Sequence, residues 1–236
     1  MSDSPPDGHV PRVYSTFTPS HRGGSGPPLV CLHGFMDTWR TWELMLPVLQ
    51  RDYDVLAPTL PGHAGAAPIA GEVSGALPAD AVERAMDETG FETAHIAGNS
   101  LGGYVALERA ARGRADSVVA LAPAGGWAEG DESFEHIPAE LLAHQMLGAA
   151  TCEAVGPLIG HVLREGWNLD AERITCPLRV VWGTDDKLLA WPSAAARFRD
   201  DWLPHADWVV LDGVGHCPQL DVPLETAQLI VGFTAR

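Results

Sequence analysis

Ala94-His95-Ile96-Ala97-Gly98-Asn99-Ser100-Leu101-Gly102-Gly103 runs a short apolar segment into a glycine-flanked serine, and from there into the periodic stretch Leu101 to Ala111. The first four residues read as a buried strand, and the periodic stretch reads as a helix. Between them Gly98-Asn99-Ser100-Leu101-Gly102 fits G-x-S-x-G. In that pattern the serine sits on a sharp strand-to-helix turn, and the glycines leave room for its backbone. With 25 glycines in the chain, the pattern alone arises by chance on the order of 0.1 times, so the strand and helix around it carry the weight.

The same alternation extends outward in both directions. Ser20 to Pro28 is a Gly, Ser and Pro cluster that reads as a loop, and Leu29 to Leu32 is a buried strand stopping at His33-Gly34. Trp39, Trp42, Met45, Leu46 and Leu49 fall at helical spacing, and Tyr53 to Ala57 is the next strand. Thr59 to Gly75 has no sustained period and reads as a surface connection. Pro78 to Thr89 is a helix with Pro near its start and Gly90 at its C′ position. Val118 to Leu121, Leu178 to Trp182 and Trp208 to Leu211 are further strands, and Ser193 to Trp202 and Leu224 to Phe233 are helices. Strands alternating with helices predict an α/β fold, a mostly parallel central sheet with helices on both faces. Pro123 to Arg173 breaks the alternation with helix-like pieces and no strand. The predicted organisation is therefore a core from 1–122 and 174–236, with a short helical cap inserted at 123–173.

A serine hydroxyl is a weak nucleophile unless a base lies within hydrogen-bond reach and a carboxylate fixes that base's tautomer. His216 is the best placed of ten histidines, in the loop Asp212-Gly213-Val214-Gly215-His216-Cys217-Pro218 after the last strand. Trp182-Gly183-Thr184-Asp185-Asp186 leaves the Leu178 strand and offers two carboxylates. On chemistry alone either aspartate can serve, whereas Ala122-Pro123-Ala124-Gly125 after the Val118 strand offers none. His95 and His161 have no second His or Cys at metal spacing and read as ordinary surface or core residues. Trp39, Trp42, Trp202 and Trp208 read as packing. Cys217 adjoins His216, but Ser100 fills the nucleophile role better.

His33-Gly34-Phe35, Gly98-Asn99-Ser100-Leu101-Gly102-Gly103, Trp182-Gly183-Thr184-Asp185-Asp186 and Gly215-His216-Cys217-Pro218 together resemble, in order, the motifs of the α/β-hydrolase superfamily. The resemblance spans nearly the whole chain. It implies a nucleophile, acid and base in the order Ser100, Asp186, His216, because the acid of the W-G-x-x-D pattern is its fifth residue; Asp185 is the fallback. It also implies an oxyanion hole of two backbone N–H groups, those of Phe35 and Leu101. Donors of that kind commonly supply about 3 kcal/mol each. His33 would hold the oxyanion loop, and Met36 and Trp127 would line an apolar pocket. Thr59 stands where many relatives have Asp, a structural position. The span from 122 to 177 is shorter than in many relatives, which predicts an open pocket.

The expected activity is a serine hydrolase that cleaves carboxylic esters through an acyl-enzyme on Ser100. Its activity should fall as pH drops through the range where a free imidazole titrates, about 6.5. Two alternatives are a C–C bond hydrolase of ring-cleavage products, whose elbow Gly-Asn-Ser-Leu-Gly-Gly is similar, and a ligand-binding member of the fold without turnover. That reaction calls for no metal or organic cofactor, and a phosphate-binding reading fails because Gly98 to Gly103 lacks the Lys-Ser/Thr ending of a P-loop and no G-x-G-x-x-G follows a strand. The net charge of −16, with Lys187 the single lysine among 15 basic residues, disfavours nucleic acid as a partner. An apolar fraction of 46% with 19% charged residues, and no long apolar run, predicts a soluble chain rather than a membrane protein. The N-terminus lacks the features of a secretory signal, and the four cysteines show no C-x-x-C spacing. The expectation is thus a cytoplasmic monomer or homodimer with free thiols, acting on a small, apolar ester.

Overall fold

The computed structural model describes residues 18–67, 76–126 and 169–235. Short apolar runs joined by helical crossovers pair in parallel, because such a crossover returns the chain to the same end of the sheet. The strands are β1 (Ser20–Gly24), β2 (Pro28–Leu32), β3 (Asp54–Pro58), β4 (Ala94–Asn99), β5 (Ala115–Leu121), β6 (Leu178–Gly183) and β7 (Asp207–Leu211). They form one sheet in the order β1-β3-β2-β4-β5-β6-β7. Every pairing is parallel except that of β1 with β3.

Side chains along each strand divide between two cores. Val30, Leu32, Ile96, Val118, Ala120, Val180 and Trp182 pack on one face with Val82, Met86, Val105 and Phe198. Leu29, Cys31, Val55, Ala57, Val119, Leu121 and Val181 pack on the other with Trp42, Met45, Leu49, Ile230 and Phe233. Burial on both faces explains why these strands read as continuous apolar runs rather than as alternating ones. The sheet is covered by α1 (Leu46–Leu49), α2 (Leu77–Thr89), α3 (Leu101–Ala111), α4 (Pro218–Asp221) and α5 (Pro223–Thr234). None of the described helices is long and apolar enough to cross a membrane.

Three expectations are corrected. Ser20 to Gly24, read as loop, is the antiparallel edge strand β1, held to β3 by backbone pairing and by the ion pair Arg22–Asp54 at 2.7 Å. Trp39 to Leu49 buries the expected apolar residues but is not one helix. It is a 3₁₀ turn over Trp39–Trp42 followed by the single turn α1, because Pro47 has no N–H for the carbonyl of Glu43. Ser193 to Trp202 is not a regular helix either, and it ends in a wide π-type turn in which Leu203 N–H reaches Phe198 O at 2.7 Å. Most of the expected cap, including Trp127, lies outside the described residues. Of its flanks, Leu169 and Ile174 pack into the first core.

The chain runs outward from β2 to β3, then returns to start β4 on the other side of β2. The strand order therefore reverses between β2 and β4, and in open α/β sheets a crevice opens at the carboxyl ends of the strands at such a point. Two of the family-like motifs, His33-Gly34-Phe35 and Asn99-Ser100-Leu101, leave the sheet there.

Candidate active site

Ser100 sits between β4 and α3 with φ 53° and ψ −116°, a region that non-glycine residues enter only when their surroundings force it. Those surroundings are backbone bonds. Ser100 N–H donates to Leu121 O at 2.9 Å, and Ser100 O accepts from Ala124 N–H at 2.9 Å and Tyr104 N–H at 3.0 Å. The turn closes because a Cβ on Gly98 would lie 2.1 Å from Gly102 O, and one on Gly102 would lie 2.2 Å from Leu32 O. Neither position admits a side chain. Leu101 opens the helix, so its N–H has no acceptor within the helix and lies at the positive end of the helix dipole.

Asp186 follows the end of β6, and its side chain is fully buried. Its Oδ1 accepts from Leu188 N–H at 2.9 Å and Leu189 N–H at 2.7 Å, while Oδ2 faces His216 Nδ1 at 2.7 Å. A carboxylate there holds the proton of neutral imidazole on Nδ1 and leaves the lone pair on Nε2. His216 Nε2 is buried and has no hydrogen-bond partner among the described residues. Asp185, the other carboxylate, is 61% exposed at its side chain and lies 3.8 Å from Lys187 Nζ. No hydrogen bond among the described residues joins Ser100 to His216, and such contacts in unliganded enzymes often close only once substrate binds.

The histidine loop is fixed by side chains from three directions. Gly213 N–H donates to Thr184 Oγ1 at 2.8 Å, and Gly215 N–H donates to Asp221 Oδ2 at 2.9 Å. Asn99 Nδ2 donates to His216 O at 2.9 Å. Sequence reading passed over Thr184, Asp221 and Asn99. No local pattern in the sequence marks them, and only the fold shows that Asn99, at the end of β4, is 1% exposed.

The segment after β2 passes beside the serine, since a Cβ on Gly34 would lie 3.2 Å from that of Ser100. Buried His33 supports this segment. Its Nδ1 donates to Gly34 O at 2.7 Å and its Nε2 accepts Leu60 N–H at 2.8 Å. Burial, with a smaller push from His63, lowers its pKa to about 3, so the ring is a neutral strut. Met36 has φ 61°, and the Phe35 ring stacks on His63 at 6.5 Å. Thr59 is structural, accepting Trp39 N–H at 3.3 Å. Cys217 Sγ lies 3.6 Å from Asn99 Oδ1. Burial, with Asp37, Asp221 and Asp186 around it, pushes the thiol up to about 12, so it is no thiolate at neutral pH. Among the described residues no group of three or more His, Cys, Asp or Glu is placed to hold a metal ion.

Comparison with known proteins adds to this geometry. The sequence model of a family described as the alpha/beta hydrolase family matches residues 29–229. An epoxide hydrolase of Mycobacterium tuberculosis is 35% identical over 205 residues, 68% of this chain and 95% of the relative. A pimeloyl-[acyl-carrier protein] methyl ester esterase of Aeromonas hydrophila is 29% identical over 251 residues, 90% of this chain and 97% of the relative. Among solved structures, a meta-cleavage product hydrolase from Pseudomonas fluorescens superposes with a TM-score of 0.72 at 21% identity, covering 92% of this chain and 93% of that one, a likeness of fold.

Proposed function

From the premise that the chain belongs to the alpha/beta hydrolase family, we propose that it is a serine hydrolase of carboxylic esters, with Ser100 as nucleophile, His216 as general base and Asp186 as the acid that orients the base. The observation that carries this reading is the Asp186–His216 pair at 2.7 Å, which leaves a buried Nε2 lone pair free to accept a proton. In the proposed cycle Ser100 Oγ attacks the ester carbonyl carbon while Nε2 takes its proton. The tetrahedral oxyanion is held by the N–H groups of Phe35 and Leu101. The C–O bond to the alcohol breaks as His216 returns the proton to the leaving oxygen, and a water activated the same way releases the acid from the acyl-enzyme. No step uses a metal or an organic cofactor.

The nucleophile's chemistry favours acyl transfer over epoxide opening, although one relative is named an epoxide hydrolase. A serine hydroxyl that opened an epoxide at carbon would become an alkyl ether, which water does not cleave. A serine acylated by an ester becomes an ester again, which water does cleave. Met36 would line an apolar pocket for a small ester.

Turnover of p-nitrophenyl acetate, butyrate and octanoate tests the reading against a vinylogous 1,5-diketo acid, the substrate type of C–C hydrolases. The expected outcome is an initial burst and steady turnover of the esters, both absent in Ser100→Ala. Turnover of the diketo acid alone, or binding of the esters without product, would overturn it.

A further inference from the structure

The two groups on which the proposed reaction depends are not bonded to each other, yet a buried side-chain amide connects their backbones. Leu121 O accepts from Ser100 N–H at 2.9 Å and also from Asn99 Nδ2 at 3.1 Å. Asn99 Nδ2 also donates to His216 O at 2.9 Å. Both of its N–H groups are thereby spent on carbonyls, one at the end of β5 and one on the base's own residue. Asn99 Oδ1 accepts from Gln219 Nε2 at 3.0 Å, and Gln219 Nε2 donates as well to Thr41 Oγ1 at 3.2 Å. Asn99, Gln219 and Thr41 are 1%, 0% and 4% exposed.

The donor and acceptor inventory permits one arrangement. Turned over, the Asn99 amide would set its oxygen against two carbonyl oxygens and its nitrogen against the donors of Gln219 and Cys217, so Gln219, the nearer of those two donors, helps fix the orientation of Asn99. The arrangement also carries a cost. Gln219 Oε1 is buried with no hydrogen-bond partner among the described residues, a desolvation cost that an apolar side chain of the same length would avoid. Local costs of this kind are expected where function rather than stability selects the residue.

We propose that Asn99 and Gln219 are positioning residues, a buried amide pair that sets His216 relative to Ser100, with Gln219 acting through Asn99. The inference rests on the reading of Ser100 and His216 as nucleophile and base. Misplacement of the base by about 1 Å costs on the order of 100-fold in rate, while substrate contacts stay as they were. The effect therefore falls on kcat.

The test uses the full chain with p-nitrophenyl acetate, with kcat normalised to burst amplitude so that only folded sites count. Gln219→Met is expected to lower kcat about 10- to 100-fold with KM changed less than about twofold. Asn99→Ala is expected to lose at least as much, and the double variant no more than Asn99→Ala alone, since both act along one path. Should Asn99→Ala not fold, Thr41→Val, which removes only the far acceptor, is expected to show a smaller loss in kcat. A proton NMR readout needs no turnover. The low-field Nδ1–H of His216 should be sharp in the parent and broadened or shifted in Gln219→Met. Folded variants with kcat within twofold of the parent, a loss confined to KM, or an unchanged His216 resonance would overturn the proposal. A parent chain with no burst sinks the ester reading instead, and the resonance still decides this one.

Discussion

Replacing Asp186 by Asn exchanges one oxygen for an NH2 group, and the bonds around that carboxylate determine the consequence. The fully buried carboxylate accepts three hydrogen bonds, from Leu188 N–H, Leu189 N–H and His216 Nδ1–H. In Asp186→Asn the amide oxygen can keep both backbone donors. Its NH2 then faces Nδ1, which must become the acceptor, and the imidazole proton moves to Nε2, where the base is needed. Stability should change little, and the transition state should lose roughly 10³- to 10⁴-fold in kcat, about 4–5.5 kcal/mol. Asp186→Ala behaves differently. It leaves the buried Leu189 N–H and the part-buried Leu188 N–H without their acceptor, at about 1–3 kcal/mol for a buried group and less for the other, so it should lose roughly 2–4 kcal/mol of folding stability as well as its turnover. The assay is p-nitrophenyl acetate turnover beside urea unfolding, with Asp185→Asn as control, expected to be near parent in both because that side chain is 61% exposed. An Asn variant within tenfold of parent kcat would show that the carboxylate does not set the His216 tautomer, and an Ala variant as stable as the Asn variant would show that the two backbone N–H groups do not depend on it.

The same geometry sets three further outcomes. Ser100→Gly should abolish turnover yet raise stability by about 1 kcal/mol in urea unfolding, because serine at φ 53° carries strain of about 1–3 kcal/mol, only partly offset by glycine's entropy; Ser100→Ala, which keeps the Cβ, should show no such gain. Gly102→Ala places a Cβ 2.2 Å from Leu32 O and 2.7 Å from His33 O; it should cost roughly 2–4 kcal/mol, and unchanged unfolding would contradict the close approach of α3 to β2. His33 has a folded-state pKa lowered by burial to about 3, against about 6.5 for an unfolded histidine. Between those values the unfolded chain binds more protons, so the contribution is full above about pH 6.5 and is lost as pH falls toward 3. It amounts to roughly 2–3 kcal/mol lost by pH 4.5, and His63, lowered chiefly by burial, adds in the same direction. Urea midpoints at pH 7.5 and 4.5 measure this, and an acid loss just as large in His33→Gln would exclude His33 as its source.

What could be read in advance depended on how much each residue's neighbours in sequence determine its place. The buried parallel strands and α3, whose bounds Leu101–Ala111 match the expectation, are legible because apolar runs and glycine turns are local signals. The edge strand β1 is not. Ser-His-Arg-Gly-Gly has no apolar alternation, and it is a strand because β3 supplies a backbone ladder from thirty or more residues away. The helix expected over Trp39 to Leu49 had the right buried face, but Pro47 outweighs periodicity. At the candidate site, chemistry alone leaves Asp185 and Asp186 equivalent and the family pattern favours Asp186; only the fold shows one aspartate turned to solvent and the other toward His216. The amide pair of Asn99 and Gln219 was beyond reading, because its partners lie 120 residues apart in sequence and no local pattern marks a side chain that bonds another loop's backbone.

Whether Ser100 is a nucleophile activated by His216 is decided by treating the full chain with a fluorophosphonate and mapping the adduct by mass spectrometry. One adduct per chain is expected, on the peptide containing Ser100, absent in Ser100→Ala and strongly slowed in His216→Ala. An unlabelled parent chain, or a label that persists in Ser100→Ala, would mean that Ser100 is not an activated nucleophile.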